Sequence, residues 1–360
     1  MPLSFGRLVP VLGLLAAAPI AAQSDRTALV ASLDSIARAA VKDGRAAGIS
    51  VGVVKGRDTL LLKGYGYADL EFDVPTPDRA IYEIGSVTKQ FTASSILLLV
   101  QQGKLSLDDK LTKYFPSYPM QGHTITIRRL MDHTSGIKGY TEMASFGPFS
   151  MRKLARDSLV AMFSKAPFDF APGDALVYNN SAYFLLGLII EKVSGKSYAD
   201  FVKENLFDRL GMSDSRYCSE NAIVKRRAHG YDATPGGGLV LAAYLDQTWP
   251  YAAGSLCSTT GDLIRWTQAL HTGQVLAPAG YAELTTPGTL NDGYQVRYAK
   301  GLTVTPVAGH RAIHHGGGIN GFLSDLAWFP DDSTVIVALI NTVGPVNPGD
   351  VVTAMAERVL

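Results

Sequence analysis

Three tetrapeptides carry a spacing that suits nucleophilic catalysis: Ser86-Val87-Thr88-Lys89, Ser135-Gly136-Ile137-Lys138 and Ser150-Met151-Arg152-Lys153. At a helix start, Ser-x-x-Lys places the amine one turn after the hydroxyl, on the same face. Burial then lowers the lysine pKa until the amine accepts the serine proton. Spacing alone does not choose among the copies, but the flanking residues do. Ser135 is followed by Gly136 and leads to Gly139, which reads as a loop. Ser150 precedes Arg152, Lys153, Arg156 and Asp157 and reads as the N-cap of a solvated helix. Ser86 opens a stretch carrying Phe91, Ala93, Ile96, Leu97, Leu98, Leu99 and Val100, apolar nearly all round and so buried. Ser86 is therefore the expected nucleophile, with Lys89 beside it. A decoy, Gly48-Ile49-Ser50-Val51-Gly52, matches Gly-x-Ser-x-Gly. It lies in an alternating strand with no helix behind it, so the required strand-to-helix turn is missing.

Two further motifs bear chemistry. Tyr178-Asn179-Asn180 follows the turn Ala171-Pro172-Gly173 and precedes an apolar helix. A tyrosine there can aim its phenol into a cleft while Asn180 fixes a substrate amide; the plainer alternative is a surface tyrosine and a capping asparagine. His-x-Gly occurs at His271, where the glycine reads as a helix cap, and in the overlapping run His314-His315-Gly316-Gly317-Gly318. That run ends a β-like segment, where glycines let backbone lie close to a substrate.

The elements that must position these groups follow from periodicity and turn residues. Helices are expected at roughly 26–43, 86–102, 150–163, 181–193, 197–208, 262–270 and 348–359. Strands are expected at 48–54, 59–67, 301–307, 311–315, 323–329 and 334–340. This order predicts an α/β (α+β) fold: an antiparallel sheet from both chain ends, flanked by helices, with a mainly helical region inserted.

The chain has 360 residues, 47% hydrophobic and 18% charged, with 33 Lys+Arg against 32 Asp+Glu. Near-neutral charge excludes a strong field for nucleic acid or an anionic membrane. Arg7, the apolar run Leu8 to Ala18 and the small residues Ala21-Ala22 read as a signal peptide over 1–22, ahead of one domain at 23–360. The implied location is periplasmic or secreted, with no membrane span once the signal is removed. Cys218 and Cys257 are the only cysteines; they can pair in an oxidising compartment or remain separate buried thiols.

Taken together, the motifs resemble the serine β-lactamase and penicillin-binding protein superfamily, on its class C, D,D-peptidase and esterase branch. The matching pieces are Glu83-Ile84-Gly85-Ser86-Val87-Thr88-Lys89-Gln90-Phe91, His133-Thr134-Ser135-Gly136, Tyr178-Asn179-Asn180 and His315-Gly316-Gly317, in the family's order. In that superfamily a Lys or His usually stands six positions before a Gly-aromatic pair. His315 stands so before Gly321-Phe322, which selects it over His314.

The resemblance implies acyl transfer through a serine ester. Ser86 attacks a carbonyl, and Lys89 and Tyr178 share acid and base duty, the holder of the proton left open. The N–H groups of Ser86 and Gly318, beside Gly317, form an oxyanion hole. Asn180 binds substrate, and His315 supplies a hydrogen bond or a positive charge. No metal or other cofactor is implied. Class C enzymes carry Lys-Thr-Gly and a further hydroxyl where this chain reads His315, Gly316, Gly317 and Gly318. That departure favours an ester or D-amino-acid amide, a small molecule or peptidoglycan-type substrate, over a β-lactam. The alternatives are a class C-type β-lactamase and a sensor domain that acylates without turnover.

Overall fold

The computed structural model describes residues 17–219 and 221–360. Helix α1 (Ala17–Val41) leads into strands β1 (Gly48–Lys55) and β2 (Asp58–Asp69). The inserted region contributes helices α2 (Thr88–Gln101), α3 (Asn180–Ser194) and α4 (Thr260–His271). The chain then returns through β3 (Ile313–Ile319), β4 (Phe322–Phe329) and β5 (Thr334–Ile340), and ends in α5 (Pro348–Val359).

Both chain ends build one seven-stranded sheet, in the order 74–75, β2, β1, β5, β4, β3, 303–304. The seam is β1 against β5, antiparallel, with Val51 opposite Ala338. Every residue of β5 is buried, so helices must cover both faces. Alternation decides which side chains go where. Ile49, Val51, Val53, Ile336 and Ala338 pack with Leu33 and Ala37 of α1 and Met355 of α5. Val335, Val337 and Leu339 face the other way, into the core shared with α2, α3 and α4. Burying each such Val, Ile or Leu stabilises the fold by about 1.5–3 kcal/mol.

The expected architecture is present, with local corrections. The helix expected at 150–163 begins only at Arg156, and Ser150 caps no helix start; it closes the short turn Phe146–Phe149 and donates to the Gly147 carbonyl. The strand expected at 301–307 shrinks to Thr303–Val304, because the chain bends to reach the sheet edge. The segment expected to stop at His315 continues through Gly316–Ile319, paired with β4. Partners on β4 hold these glycines in register, overriding their weak strand preference. Cys218 and Cys257 form a disulfide. The signal segment expected at 1–22 lies outside the described residues as far as residue 16, and the backbone of 17–22 belongs to α1.

Candidate active site

Ser86 sits in a single 3-10 turn, Gly85–Val87, that feeds α2. Three hydrogen bonds from two neighbours, Leu256 and Ser324, fix this turn. The Ile84 N–H donates to the Leu256 carbonyl, the Leu256 N–H donates to Thr88 Oγ1, and Ser324 Oγ donates to the Ile84 carbonyl. Gly85 has φ +49°, and a Cβ there would lie 2.9 Å from the backbone of Gly318. Gly317 is equally constrained, since its Cβ would lie 2.2 Å from the Ile84 carbonyl and 2.4 Å from Ser324 Oγ. Glycine at these two positions lets β3 run against the serine turn with backbone touching backbone. Gly318 has room by contrast, its nearest such contact being Leu323 at 3.5 Å. Ser86 and Gly318 open onto one cavity of about 180 Å³.

Lys89 is completely buried in the first turn of α2. Its Nζ lies 3.0 Å from Ser86 Oγ, 2.8 Å from Asn180 Oδ1 and 2.8 Å from the Ala253 carbonyl. No carboxylate pairs with it among the described residues, and burial pushes its pKa well below the ordinary lysine value. The capping asparagine of the plainer reading is present as Asn179, which caps α3 by accepting from the Ala182 N–H. Asn180 is thereby released to accept from Lys89 and to donate to Thr141 Oγ1 at 3.2 Å. Tyr178 has its ring 4.7 Å from Lys89 Nζ, on the side of the site that Ser86 faces. Burial raises the phenol pKa, and the neighbouring Ser86 hydroxyl pulls it back.

His315 is buried on the active-site face of β3, its ring 6.1 Å from that of Tyr178. His314 points to the opposite face and meets Thr305 Oγ1 at 2.8 Å. Of the two contributions expected of His315, its surroundings favour the hydrogen bond over the positive charge. Burial pushes its pKa down to about 3. Its Nδ1 lies 2.6 Å from the Gly316 carbonyl and must carry the proton, so Nε2 accepts from the Tyr298 hydroxyl at 2.9 Å.

Ser86, Lys89, Tyr178, Asn180, His315, Gly317 and Gly318 thus converge from three separate stretches of chain. The sequence reading missed Tyr298, the Ala253 carbonyl and Thr141. The first belongs to no motif, the second is backbone, and only tertiary contacts reveal any of the three. The rejected candidates lie apart. Ser50 is a buried strand residue bonded to the Tyr82 hydroxyl, and Lys138 donates to Asp169.

Comparisons with known proteins agree with this geometry. Penicillin-binding protein 4* of Bacillus subtilis is 31% identical over 323 residues, covering 85% of this chain and 70% of that protein. Protein flp of Staphylococcus aureus is 28% identical, and the match spans only 62% of its length. Among solved structures, D-amino acid amidase from Ochrobactrum anthropi superposes with a TM-score of 0.81 at 25% identity, covering 92% of this chain and 98% of that one. A D-stereospecific amidohydrolase from Streptomyces gives 0.75 at 26% identity, covering 91% and 98%. The Beta-lactamase family model matches residues 33–359, and the chain belongs to that family of serine hydrolases.

Proposed function

We propose that the protein hydrolyses an ester or a D-amino-acid amide through an acyl-enzyme on Ser86. The observation that carries this reading is the position of the Lys89 amine, fully buried, 3.0 Å from Ser86 Oγ and against two acceptor oxygens, with no carboxylate beside it among the described residues. A neutral amine has two N–H donors and one lone pair. Asn180 Oδ1 and the Ala253 carbonyl can only accept, so they take both donors. The lone pair is left for the Ser86 hydroxyl, the arrangement of a general base. Tyr178, whose ring lies beside Lys89 Nζ, passes the proton on to the leaving group. The N–H groups of Ser86 and Gly318 receive the oxyanion, each donor contributing ~3–4 kcal/mol in the transition state. His315, being neutral, acts by fixing Tyr298 and the strand rather than by charge.

The cavity supports the substrate class. Tyr140, Phe146, Leu245, Pro250 and Ile319 line it with Thr141 and Asn180, and among the described residues no charged side chain does. An apolar cavity of about 150 Å³ holds a benzene ring, so about 180 Å³ suits a compact aromatic or branched acyl group. A substrate carboxylate meets no cation here, which favours esters and amides over β-lactams. The relatives named as a D-amino acid amidase and a D-stereospecific amidohydrolase fit the same class.

We further propose that residues 1–22 are removed on export to the periplasm or medium, leaving one domain from 23. No described helix is long and apolar enough to cross a membrane. N-terminal sequencing of the exported protein tests this, and a start at residue 1 would refute it. The activity is tested by fluorophosphonate labelling mapped by mass spectrometry, with a panel of p-nitrophenyl esters, D-amino-acid amides and a chromogenic cephalosporin. Label at Ser86 with ester or amide turnover supports the proposal. Preferred cephalosporin hydrolysis, or an acyl adduct that never turns over, overturns it.

A further inference from the structure

We infer that His133 is a positioning residue for Tyr178, holding both the face of its ring and the backbone that follows it. The inference rests on Tyr178 acting as the proton carrier proposed above. His133 is completely buried, and its ring packs 4.4 Å from that of Tyr178, 4.5 Å from Tyr298 and 5.1 Å from Tyr183, centroid to centroid. Lys89 Nζ also lies close to the Tyr178 ring, at 4.7 Å from its centroid. His133 Nδ1 accepts the backbone N–H of Asn179 at 3.1 Å. Asn179 stands between Tyr178 and Asn180, so one imidazole governs both neighbours of that peptide.

The side chain is poorly explained as filler. Its backbone has φ +61°, a left-handed conformation that disfavours an ordinary core residue. Because Nδ1 accepts, the neutral ring carries its proton on Nε2, which is buried with no hydrogen-bond partner among the described residues. Burial keeps the ring neutral. A leucine would fill the space without either polar atom. What imidazole adds is an aromatic ring packed at a tilt of 42° against the phenol, together with an acceptor for the 179 amide.

His133→Asn is the discriminating variant. Asparagine tolerates the left-handed backbone and can offer an acceptor where Nδ1 lay, but it removes the ring. The expected result is a fall in kcat of about tenfold, with KM within about twofold and thermal unfolding of the folded protein retained. A double-mutant cycle then tests the route of action. In the Tyr178→Phe background, His133→Asn should cost less than about twofold further, since its effect passes through Tyr178. Costs that simply multiply, or a loss of kcat matched by loss of folded protein, would overturn the inference. If Tyr178→Phe impairs the enzyme but His133→Asn does not, only the role of His133 falls. If Tyr178→Phe is silent, the role of Tyr178 falls and takes this inference with it.

Discussion

Ser86–Lys89 and Ser135–Lys138 share a tetrapeptide spacing and diverge in everything that matters chemically. Lys89 lies inside the protein, against two oxygens that only accept and one serine hydroxyl. Lys138 is 31% exposed and donates to the Asp169 carboxylate at 2.9 Å. An ion pair at the surface keeps a lysine charged and useless as a base, whereas burial without a carboxylate drives off its proton. Ser135 is itself buried, with its hydroxyl in no hydrogen bond to Lys138. Spacing supplies proximity along the chain, and environment supplies reactivity.

The comparison breaks most severely at the serines. Ser86→Ala should abolish fluorophosphonate labelling and lower turnover by on the order of 10⁴-fold or more. Ser135→Ala should leave turnover within about twofold, and a large loss there would reverse the assignment. The frame around Ser86 gives the next effect. Cys257 lies in the strand that pairs with Tyr82–Glu83, just before the serine turn, and its disulfide to Cys218 spans 39 positions. Removing that crosslink should destabilise the protein by up to about 4 kcal/mol in the chain-entropy model. Chemical denaturation with and without reductant measures this.

A third test uses the lysines and pH. Lys89 is neutral when folded and protonated when unfolded over the range between its depressed pKa and its ordinary value of 10.5. The unfolded state there binds more protons, so the wild type gains stability as pH rises, by about 1.4 kcal/mol per pH unit for one proton. Lys89→Met should remove that slope, and Lys138→Met should leave it intact. Unfolding curves at several pH values between 7 and 10 decide the matter, and parallel curves for wild type and Lys89→Met would contradict it. The smallest effect separates two glycines. Gly317→Ala forces a Cβ into the Ile84 carbonyl and should cost about tenfold or more in labelling rate. Gly318→Ala meets only Leu323 at 3.5 Å and should fold normally, with a milder loss read in kcat.

Much of this was legible along the chain. The apolar body of α2 marked Ser86 over its two rivals, because a helix without a polar face has to be buried. Alternation in 48–54 and the continuous β-branched, apolar run 334–340 located the two seam strands to within a residue or so. Ser150 misled, because a serine before a charged stretch resembles a cap whether or not a helix follows. The glycines after His315 misled as well, since glycine has weak strand preference and only pairing with β4 keeps them extended.

The sequence by itself therefore determined which elements form and which serine is nucleophile-like, since periodicity and burial are written in local residue order. Tertiary structure alone decided the charge on His315, the acceptors of Lys89 and the ring stack around His133. Those depend on groups that are not sequence neighbours, such as Ala253 against Lys89, brought within hydrogen-bond distance and away from water. Protonation in a protein follows from solvation and from neighbours, and neither is a property of adjacent residues.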